Sequence, residues 1–439
     1  MKLNREILRL SLPSIISNIS VPLLGLSDTA ISGHLGSEKF IAAIAVGTMM
    51  FNVVFWLFGF FRMGTTGMTA QEYGRKNNRQ CNILLYRSIF IALAIGMLLI
   101  ALQYPIQWLL MNFISPEQAV VDLARNYFYI CIWGAPAILI NMSVSGWFIG
   151  MQNSFATMLI SIGVNVLNIV LSLLFVFVAD VGFIGVAIGT LSANWIGVGV
   201  SILLIWRYNK NRFPIIEIDE ILKVEDLKHF FKINTDIFFR SACIMSVSLS
   251  ITAFGAHISS LTLAANTIMM QFFIMFSYFM DGLAFTGEAL VGRYAGATDW
   301  NMMKCAVKRL CQWAAVIAIV FTLGYIVCYE YIVRMITSNI NVIVEIEEYK
   351  QWIIILPFVT VAAFIFDGVY IGLTRTRTML IVTLISTFVF YLISFIHPLS
   401  ENVISYPANH TLWIAFLSYL LLRGLLLAGN YIVAYRNKA

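Results

Sequence analysis

Apolar stretches of about 20 residues recur along the whole chain, and only short polar segments separate them. A helix of that length crosses a hydrocarbon core roughly 30 Å thick, whereas a membrane barrel needs alternating segments of about 10 residues. Continuous runs such as SIFIALAIGMLLIAL (88–102) do not alternate. The pattern therefore predicts an all-α polytopic membrane protein with twelve transmembrane helices, at 7–34, 39–73, 83–112, 119–150, 154–179, 183–208, 228–257, 261–296, 303–335, 343–373, 378–397 and 410–435.

Composition and charge agree with a membrane protein, because 60% of the residues are hydrophobic and only 11% are charged. Between alternate pairs of spans the basic residues are few, namely Lys39, Arg125, Arg334 and Lys350, and most of the others lie on the opposite side. The positive-inside rule then predicts that both termini are cytoplasmic and that the first helix is retained. The net charge of +6 reflects this topology, not nucleic-acid binding, and we expect a multi-pass protein of the cytoplasmic (inner) membrane.

The chain reads as a tandem duplication of six spans, divided by the polar segment NKNRFPIIEIDEILKVED (209–226). When the second half is set under the first, GWFIGMQNSFATML (146–159) lies over GVYIGLTRTRTML (368–380). We therefore predict an amino-terminal lobe at 1–208, a cytoplasmic linker at 209–227 and a carboxyl-terminal lobe at 228–439. Because six is even, the lobes share an orientation, related by a pseudo-two-fold axis along the membrane normal, with a substrate cavity between them near the midplane.

Asp28 is the acid that stands out in the first lobe, because it lies inside an apolar span. His34 marks the outer end of that span, so six residues at about 1.5 Å each place Asp28 roughly 9 Å inward. Asn168 and Thr190 come out at a similar depth on spans 5 and 6. A buried carboxylate costs a few kcal/mol or more to keep ionised, and binding a proton or a cation relieves that cost. Alternatively, Asp28 only bonds neighbouring hydroxyls such as those of Thr29 or Ser32.

The second lobe carries its own charged residues, and two interpretations of them stay open. In one, Arg240 neutralises Asp281 or Asp367 across helices, and the cluster holds the lobe together. In the other, an acid of this lobe titrates or binds a cationic substrate. Asp236 shares a helix face with Arg240 at a spacing of four residues and is counted in the same cluster. Three further residues receive no role: Glu288, expected near the cytoplasmic end, and Arg62 and Arg423, expected to snorkel or face a cavity.

The remaining chemistry-bearing residues are scattered. The six cysteines have no CxxC spacing and are expected to be reduced, buried hydrophobic residues, and the five histidines show no paired ligand spacing. No GxSxG, HExxH or GxGD arrangement of an intramembrane enzyme is present in the sequence. We therefore expect no metal, no cofactor and no enzymatic activity. The abundant Phe and Met residues suit a deformable substrate wall, but for any one of them core or lipid contact is the default.

Four motifs resemble the multidrug and toxic compound extrusion (MATE) transporters, and among them the DinF-like branch. They are SDTAISGHLGS (27–37), NTDIFFRS (234–241), DGLAFTGEALVGRYAGA (281–297) and FDGVYIGLTRTRTM (366–379). The resemblance implies a twelve-helix, two-lobed exporter that exchanges protons or sodium for amphipathic, often cationic compounds. It also implies that Asp28 is the coupling carboxylate, with Asn168 and Thr190 as its polar neighbours. Ser172 stands where the family often has a second acid, and a site with one carboxylate favours H+ over Na+.

The function predicted from the sequence is thus cation-coupled antiport, with the proton favoured over sodium, by a monomer in the lipid bilayer. Its expected partner is a small amphipathic substrate and not a nucleic acid. The alternative is a flippase of a lipid or lipid-linked precursor, which would need several cations lining a groove. A major-facilitator carrier is disfavoured because YGRKNNRQ (73–80) lacks the Gly-x-x-x-Asp-Arg pattern of that family.

Overall fold

The computed structural model describes residues 2–35, 37–114, 117–210, 216–399 and 408–435, and all regular structure in these ranges is helical. Twelve of the helices or helix pairs are long and apolar enough to span a membrane, which confirms the predicted fold class. The helices of the first half and the linker are α1 (Lys2–Gly33), α2 (Glu38–Leu57), α3 (Phe60–Gly74), α4 (Asn78–Ala101), α5 (Gln103–Ile114), α6 (Gln118–Cys131), α7 (Ala135–Gly150), α8 (Ser154–Leu173), α9 (Ile184–Tyr208) and α10 (Ile218–Ile221). Those of the second half are α11 (Val224–Ile258), α12 (Ser260–Gly296), α13 (Trp300–Ile336), α14 (Ile340–Gly372), α15 (Thr376–Leu399) and α16 (Ala408–Tyr435).

Several predicted spans of the first half are interrupted helices, which corrects the continuous spans predicted from hydropathy. The span at 39–73 is broken at Phe58 and Gly59, and the span at 83–112 is broken at Leu102. A 3₁₀ turn at Ile132–Gly134 precedes α7, and a π-helical turn at Leu174–Val178 ends α8. Hydropathy averages over about 19 residues, so it does not register a change in hydrogen-bond pattern within an apolar run.

The two halves end and start their helices in the same way. Lys76 and Thr298, which occupy equivalent positions in the two halves, both have positive φ, with values of 60° and 55°. The next residues, Asn77 and Asp299, accept a hydrogen bond from the first turn of α4 and of α13 and so cap the two helices. The local geometry therefore repeats at the offset found in the sequence.

Close helix contacts also repeat. A Cβ added at Gly146 of α7 would lie within 3 Å of the carbonyl oxygen of Arg62 on α3, and one at Gly368 of α14 would lie equally close to that of Ala284 on α12. One turn on, Gly150 and Gly372 make the same type of contact with main-chain oxygens. Small residues let two membrane helices approach at backbone distance, so these glycines position α3 on α7 and α12 on α14.

The described chain separates into two compact units. One contains residues 12–234, and the other contains residues 2–11 with the described residues from Thr235 onward. The linker helix α10 belongs to the first unit, where Arg87 of α4 donates to the carbonyl oxygens of Glu220 and Ile221 at 2.9 and 2.8 Å. The same guanidinium also pairs with Asp226 at 2.9 Å.

Candidate functional site

Asp28 lies on α1 of the unit formed by residues 12–234, and only 6% of its surface is exposed. The hydroxyls that are candidates to satisfy its carboxylate do not do so, because Thr29 donates to the carbonyl of Gly25 and Ser32 to the backbone carbonyl of Asp28 itself. Within the described residues, the carboxylate oxygen Oδ1 of Asp28 has no hydrogen-bond partner. Asp28 is therefore not held as a packing residue by its own helix.

Asn168, Thr190 and Ser172 form one hydrogen-bonded chain across α8 and α9. Ser172 Oγ donates to Asn168 Oδ1 at 3.1 Å, and Asn168 Nδ2 donates to Thr190 Oγ1 at 3.1 Å. Thr190 Oγ1 in turn donates to the carbonyl of Val186 at 3.0 Å. The structure thus brings together three of the four residues predicted for the coupling site.

Tyr127 and Cys131 on α6 connect Asp28 with this chain, and the sequence analysis missed both. The buried Tyr127 hydroxyl interacts electrostatically with Asp28 and lies within hydrogen-bonding range of Thr190 and of the Cys131 thiol. Cys131 also interacts electrostatically with Asp28. The signal was their spacing of four residues, which places two polar atoms on one helix face, but tyrosine and cysteine are common enough in apolar helices to hide it.

Local packing fixes the positions of the amide and the hydroxyls. A Cβ at Gly189 of α9 would lie only 2.7 Å from the backbone nitrogen of Ser172, so α8 and α9 are in backbone contact at this level. The π-helical turn of Leu174–Val178 begins two residues beyond Ser172. Such turns frequently occur at functional sites, and this one ends α8 directly after the polar chain.

The second polar site lies in the other unit and consists of Arg240, Asp367 and Arg423, on α11, α14 and α16. Arg240 Nη2 forms a short ion pair with Asp367 Oδ2, and Arg423 Nη2 pairs with the same oxygen at 3.3 Å. Arg423 Nη1 also donates to the hydroxyl of Tyr419 at 2.9 Å. Each arginine is only 4% exposed. Arg423 is therefore a central member of this cluster and does not extend to solvent, although the sequence analysis assigned it no role.

The other acids predicted for the cluster divide between two places. Asp281 on α12 interacts electrostatically with Arg423, so it belongs to the neighbourhood of the ion pairs. Asp236 does not join them, because its carboxylate accepts hydrogen bonds from Thr376 at 3.1 Å and from Arg377 at 3.3 Å at the start of α15. A spacing of four places Asp236 and Arg240 on one face of α11, but a full turn of helix separates their surroundings.

Two further charged residues are deeply buried, and for Glu288 this corrects the expectation. The sequence predicts Glu288 near a solvated helix end, but the Glu288 side chain on α12 is buried and only 1% exposed. Arg87 of α4 is also only 1% exposed, and its guanidinium donates a hydrogen bond to the carbonyl of Ile221 in the linker. Hydropathy averages over a window of residues and does not record where a single charged side chain is directed.

No group of three or more His, Cys, Asp or Glu side chains that could hold a metal ion occurs in the part of the chain that the structure describes. The six cysteines are free thiols. Cys81 and Cys131 are buried, but Cys305 and Cys328 are exposed at the protein surface, contrary to the expectation that all are buried.

Comparisons with known proteins agree with this architecture. A sequence model of the MatE family matches residues 13–174 and again residues 237–396, once in each half. DNA damage-inducible protein F of Escherichia coli (strain K12) is 32% identical over 434 residues, covering 99% of this chain and 93% of its own. A NorM multidrug resistance protein of Thermotoga maritima is 24% identical, with 88% and 83% covered. The Vibrio cholerae MATE transporter VcmN in its bent form has the same fold, with a TM-score of 0.84 at 16% identity and 100% and 98% coverage.

Proposed function

The chain belongs to the MatE family of multi-pass membrane transporters, and from this membership we propose that it is a proton-coupled antiporter exporting amphipathic, often cationic, organic compounds. The observation that carries the proposal is the state of Asp28, a buried acid whose Oδ1 has no hydrogen-bond partner among the described residues. Keeping a carboxylate ionised when it is buried inside a membrane domain costs free energy, and an ion that neutralises the carboxylate removes that cost.

The oxygen atoms of the predicted coupling site favour a proton over sodium as that ion. Sodium, like other hard cations, requires several oxygen ligands and compensating charge, and Asp28 supplies the single carboxylate. The amide oxygen of Asn168 already accepts a hydrogen bond from Ser172, and the Thr190 hydroxyl already donates to Val186. A proton needs only one carboxylate oxygen, and Asp28 offers an Oδ1 that accepts no hydrogen bond from the described residues.

Coupling follows from differential binding. If the proton and the substrate each bind one conformation of the transporter better than the other, uptake of a proton from outside releases substrate there, and the protonated carrier returns to release the proton inside. A membrane potential of 100 mV contributes about 2.3 kcal/mol per net charge moved, which concentrates a neutral solute roughly fiftyfold per proton. For a monovalent cationic substrate exchanged one for one with a proton, this electrical contribution vanishes and the pH difference alone drives export.

We further propose that the transporter resides in the cytoplasmic membrane with both termini in the cytoplasm. The support is the distribution of Lys and Arg between spans, with only four of these residues predicted on the outer side. The neutral and apolar surface of most spans fits direct contact with lipid. We expect the working unit to be the monomer, because each polar site is complete within one unit of a single chain.

The test uses purified full-length protein in liposomes with an inward proton gradient and a fluorescent lipophilic cation. Wild type is expected to move the dye when the gradient is applied without sodium, and Asp28→Asn is expected to fall to the level of empty liposomes. Asp122→Asn serves as the matched control, since Asp122 is an exposed acid of the same unit that pairs with Arg125. Equal gradient-driven transport by folded Asp28→Asn and wild type would contradict the proposal, and transport that requires sodium would contradict the choice of ion.

A further inference from the structure

The ion pairs of the second unit leave hydrogen-bonding capacity unused. Both guanidiniums converge on Oδ2 of Asp367, while the Nε–H of Arg240 and the Nε–H of Arg423 find no acceptor among the described residues. Each guanidinium has five N–H donors in a planar fork and no acceptor of its own. The cluster is therefore rich in buried donors, and each buried donor without an acceptor costs stability.

The kind of ligand that would satisfy these groups follows from their geometry. Guanidinium forks match carboxylate, sulfonate and phosphate oxygens, which accept two parallel N–H bonds, and they stay charged inside a protein. Asp367 offers only its Oδ2 to the two arginines, since its Oδ1 accepts no hydrogen bond from the described residues, and Asp281, which interacts electrostatically with Arg423, accepts from neither Nε–H. An anionic group entering beside Asp367 would accept the remaining N–H bonds without breaking the pairs already made.

An apolar surface lies on two of the helices that carry the cluster, α14 and α16, and on α12. Phe364 precedes Asp367 by three residues on α14, and Phe416 lies two turns before Arg423 on α16. Phe273 of α12 packs on both rings, with centroids 6.2 Å from Phe364 and 5.2 Å from Phe416. Phe273 and Phe364 are only half-buried, so both keep surface that a hydrophobic body could cover.

We propose that Arg240 and Arg423 bind the anionic group of an amphiphile whose apolar part lies on the Phe273, Phe364 and Phe416 rings. This inference rests on the proposed function for its place in an export cycle, and it names a substrate class that the coupling site does not. The transporter would then accept zwitterionic or anionic amphiphiles as well as cations. Two kinds of molecule carry such an anionic group on an apolar body, namely a soluble amphiphile with a carboxylate and a lipid with a phosphate.

The experiment compares two forms of one rhodamine dye, the ethyl ester, which is a cation, and the free acid, which adds only a carboxylate. Binding to the purified full-length protein in detergent is followed by fluorescence anisotropy for wild type, Arg240→Gln and Arg423→Gln. Loss of charge-assisted hydrogen bonds is expected to weaken the acid relative to the ester by about tenfold in both variants, while the affinity for the ester stays within twofold. Arg87→Gln is the control, because Arg87 is an equally buried arginine outside the cluster.

Removing one member of a buried ion pair can unfold the protein, so Arg240→Gln is also combined with Asp367→Asn, which leaves no uncompensated acid there. An unchanged ratio of acid to ester affinity in the folded single or double variant would overturn the inference. Failure of the proposed function is a separate result, namely that a proton gradient does not drive the ester dye in wild type.

Short-chain phosphatidic acid and short-chain diacylglycerol, which lacks the phosphate, are then added as competitors of the bound acid dye. Displacement by phosphatidic acid alone would identify a lipid phosphate as the source of the anionic group, and displacement by neither lipid would point to a soluble amphiphile. Equal displacement by both lipids would mean that the site does not recognise the negative charge, and this would overturn the inference.

Discussion

The two polar sites of this transporter differ in how their acids are neutralised. In the unit of residues 12–234, Asp28 is buried and interacts electrostatically with the Tyr127 hydroxyl and the Cys131 thiol, and no basic side chain pairs with it among the described residues. In the other unit, Asp367 is also buried but receives two guanidiniums on one oxygen. An acid of the first kind must exchange ions with its surroundings to stay neutral, whereas an acid of the second kind carries its own counter-ions.

This difference arises on a common framework. The positive-φ residues, the helix caps and the glycine contacts recur at equivalent positions, so both halves place their helices alike. The duplicated backbone was therefore kept while the buried side chains took different roles. In the second half, the structure shows the ion pair between Arg240 and Asp367 that one of the two interpretations of the sequence requires.

The largest effect expected from this comparison is on stability. Asp367→Asn leaves two buried guanidiniums without their carboxylate and should lower the free energy of unfolding by about 3–5 kcal/mol. Asp28→Asn removes no ion pair and should leave stability unchanged or slightly raised. Thermal unfolding in detergent micelles, followed by circular dichroism, measures both. A similar loss of stability in the two variants would show that both acids are neutralised in the same way, and this would contradict the difference between the two sites.

An intermediate effect is expected at the repeated glycines, where the two halves should respond alike. Gly146→Ala and Gly368→Ala each force a methyl group against a main-chain oxygen and should destabilise by about 1–3 kcal/mol. Gly163 on α8 has no atom within 4 Å of an added Cβ, so Gly163→Ala should instead stabilise by about 0.5–1 kcal/mol. The same unfolding assay measures these changes. If Gly146→Ala lowers stability and Gly368→Ala does not, the two halves do not share this helix contact.

The smallest effect concerns ion choice. Ser172→Asp adds a second carboxylate beside Asn168 and should make sodium stimulate dye export several-fold in liposomes, because hard cations favour sites with more charged oxygens. Ser172→Asn is the control, with a side chain of the same size and no charge. If a folded Ser172→Asp protein exports the dye at the same rate with and without sodium, the absence of a second acid does not determine the choice of coupling ion.

The fold was largely predictable because spans of about 20 apolar residues leave little choice inside a membrane. The meeting of Asn168, Ser172 and Thr190 was predictable as well, since depth along neighbouring helices can be counted from the constant rise per residue. The contribution of Tyr127 was not predictable, because the depth of a residue along a helix does not determine the direction in which its side chain points. Tyr127 could equally have faced lipid at that depth. The helix breaks also escaped prediction, since a 3₁₀ or π turn changes hydrogen bonding without changing hydropathy.

Arg423 and Asp236 show the same limit for charged groups. Sequence spacing placed Asp236 with Arg240, but which of several basic side chains an acid meets depends on how four helices are rotated against one another. The structure pairs Asp236 with Arg377 and brings Arg423 across from α16 to Asp367. Pairing between helices that are distant in the sequence is a tertiary property, and no pattern within one span encodes it.

The glycine contacts have a consequence for how such a gene can diverge after duplication. Gly146 and Gly368 meet peptide oxygens, not side chains, so the identity of the residue that provides the oxygen is not constrained by the contact. The two copies have used that freedom, with arginine at position 62 and alanine at position 284. A helix crossing built on main-chain atoms can thus be inherited intact while mutation freely tests new charges beside it, and one ancestral half can yield two sites of opposite electrical character.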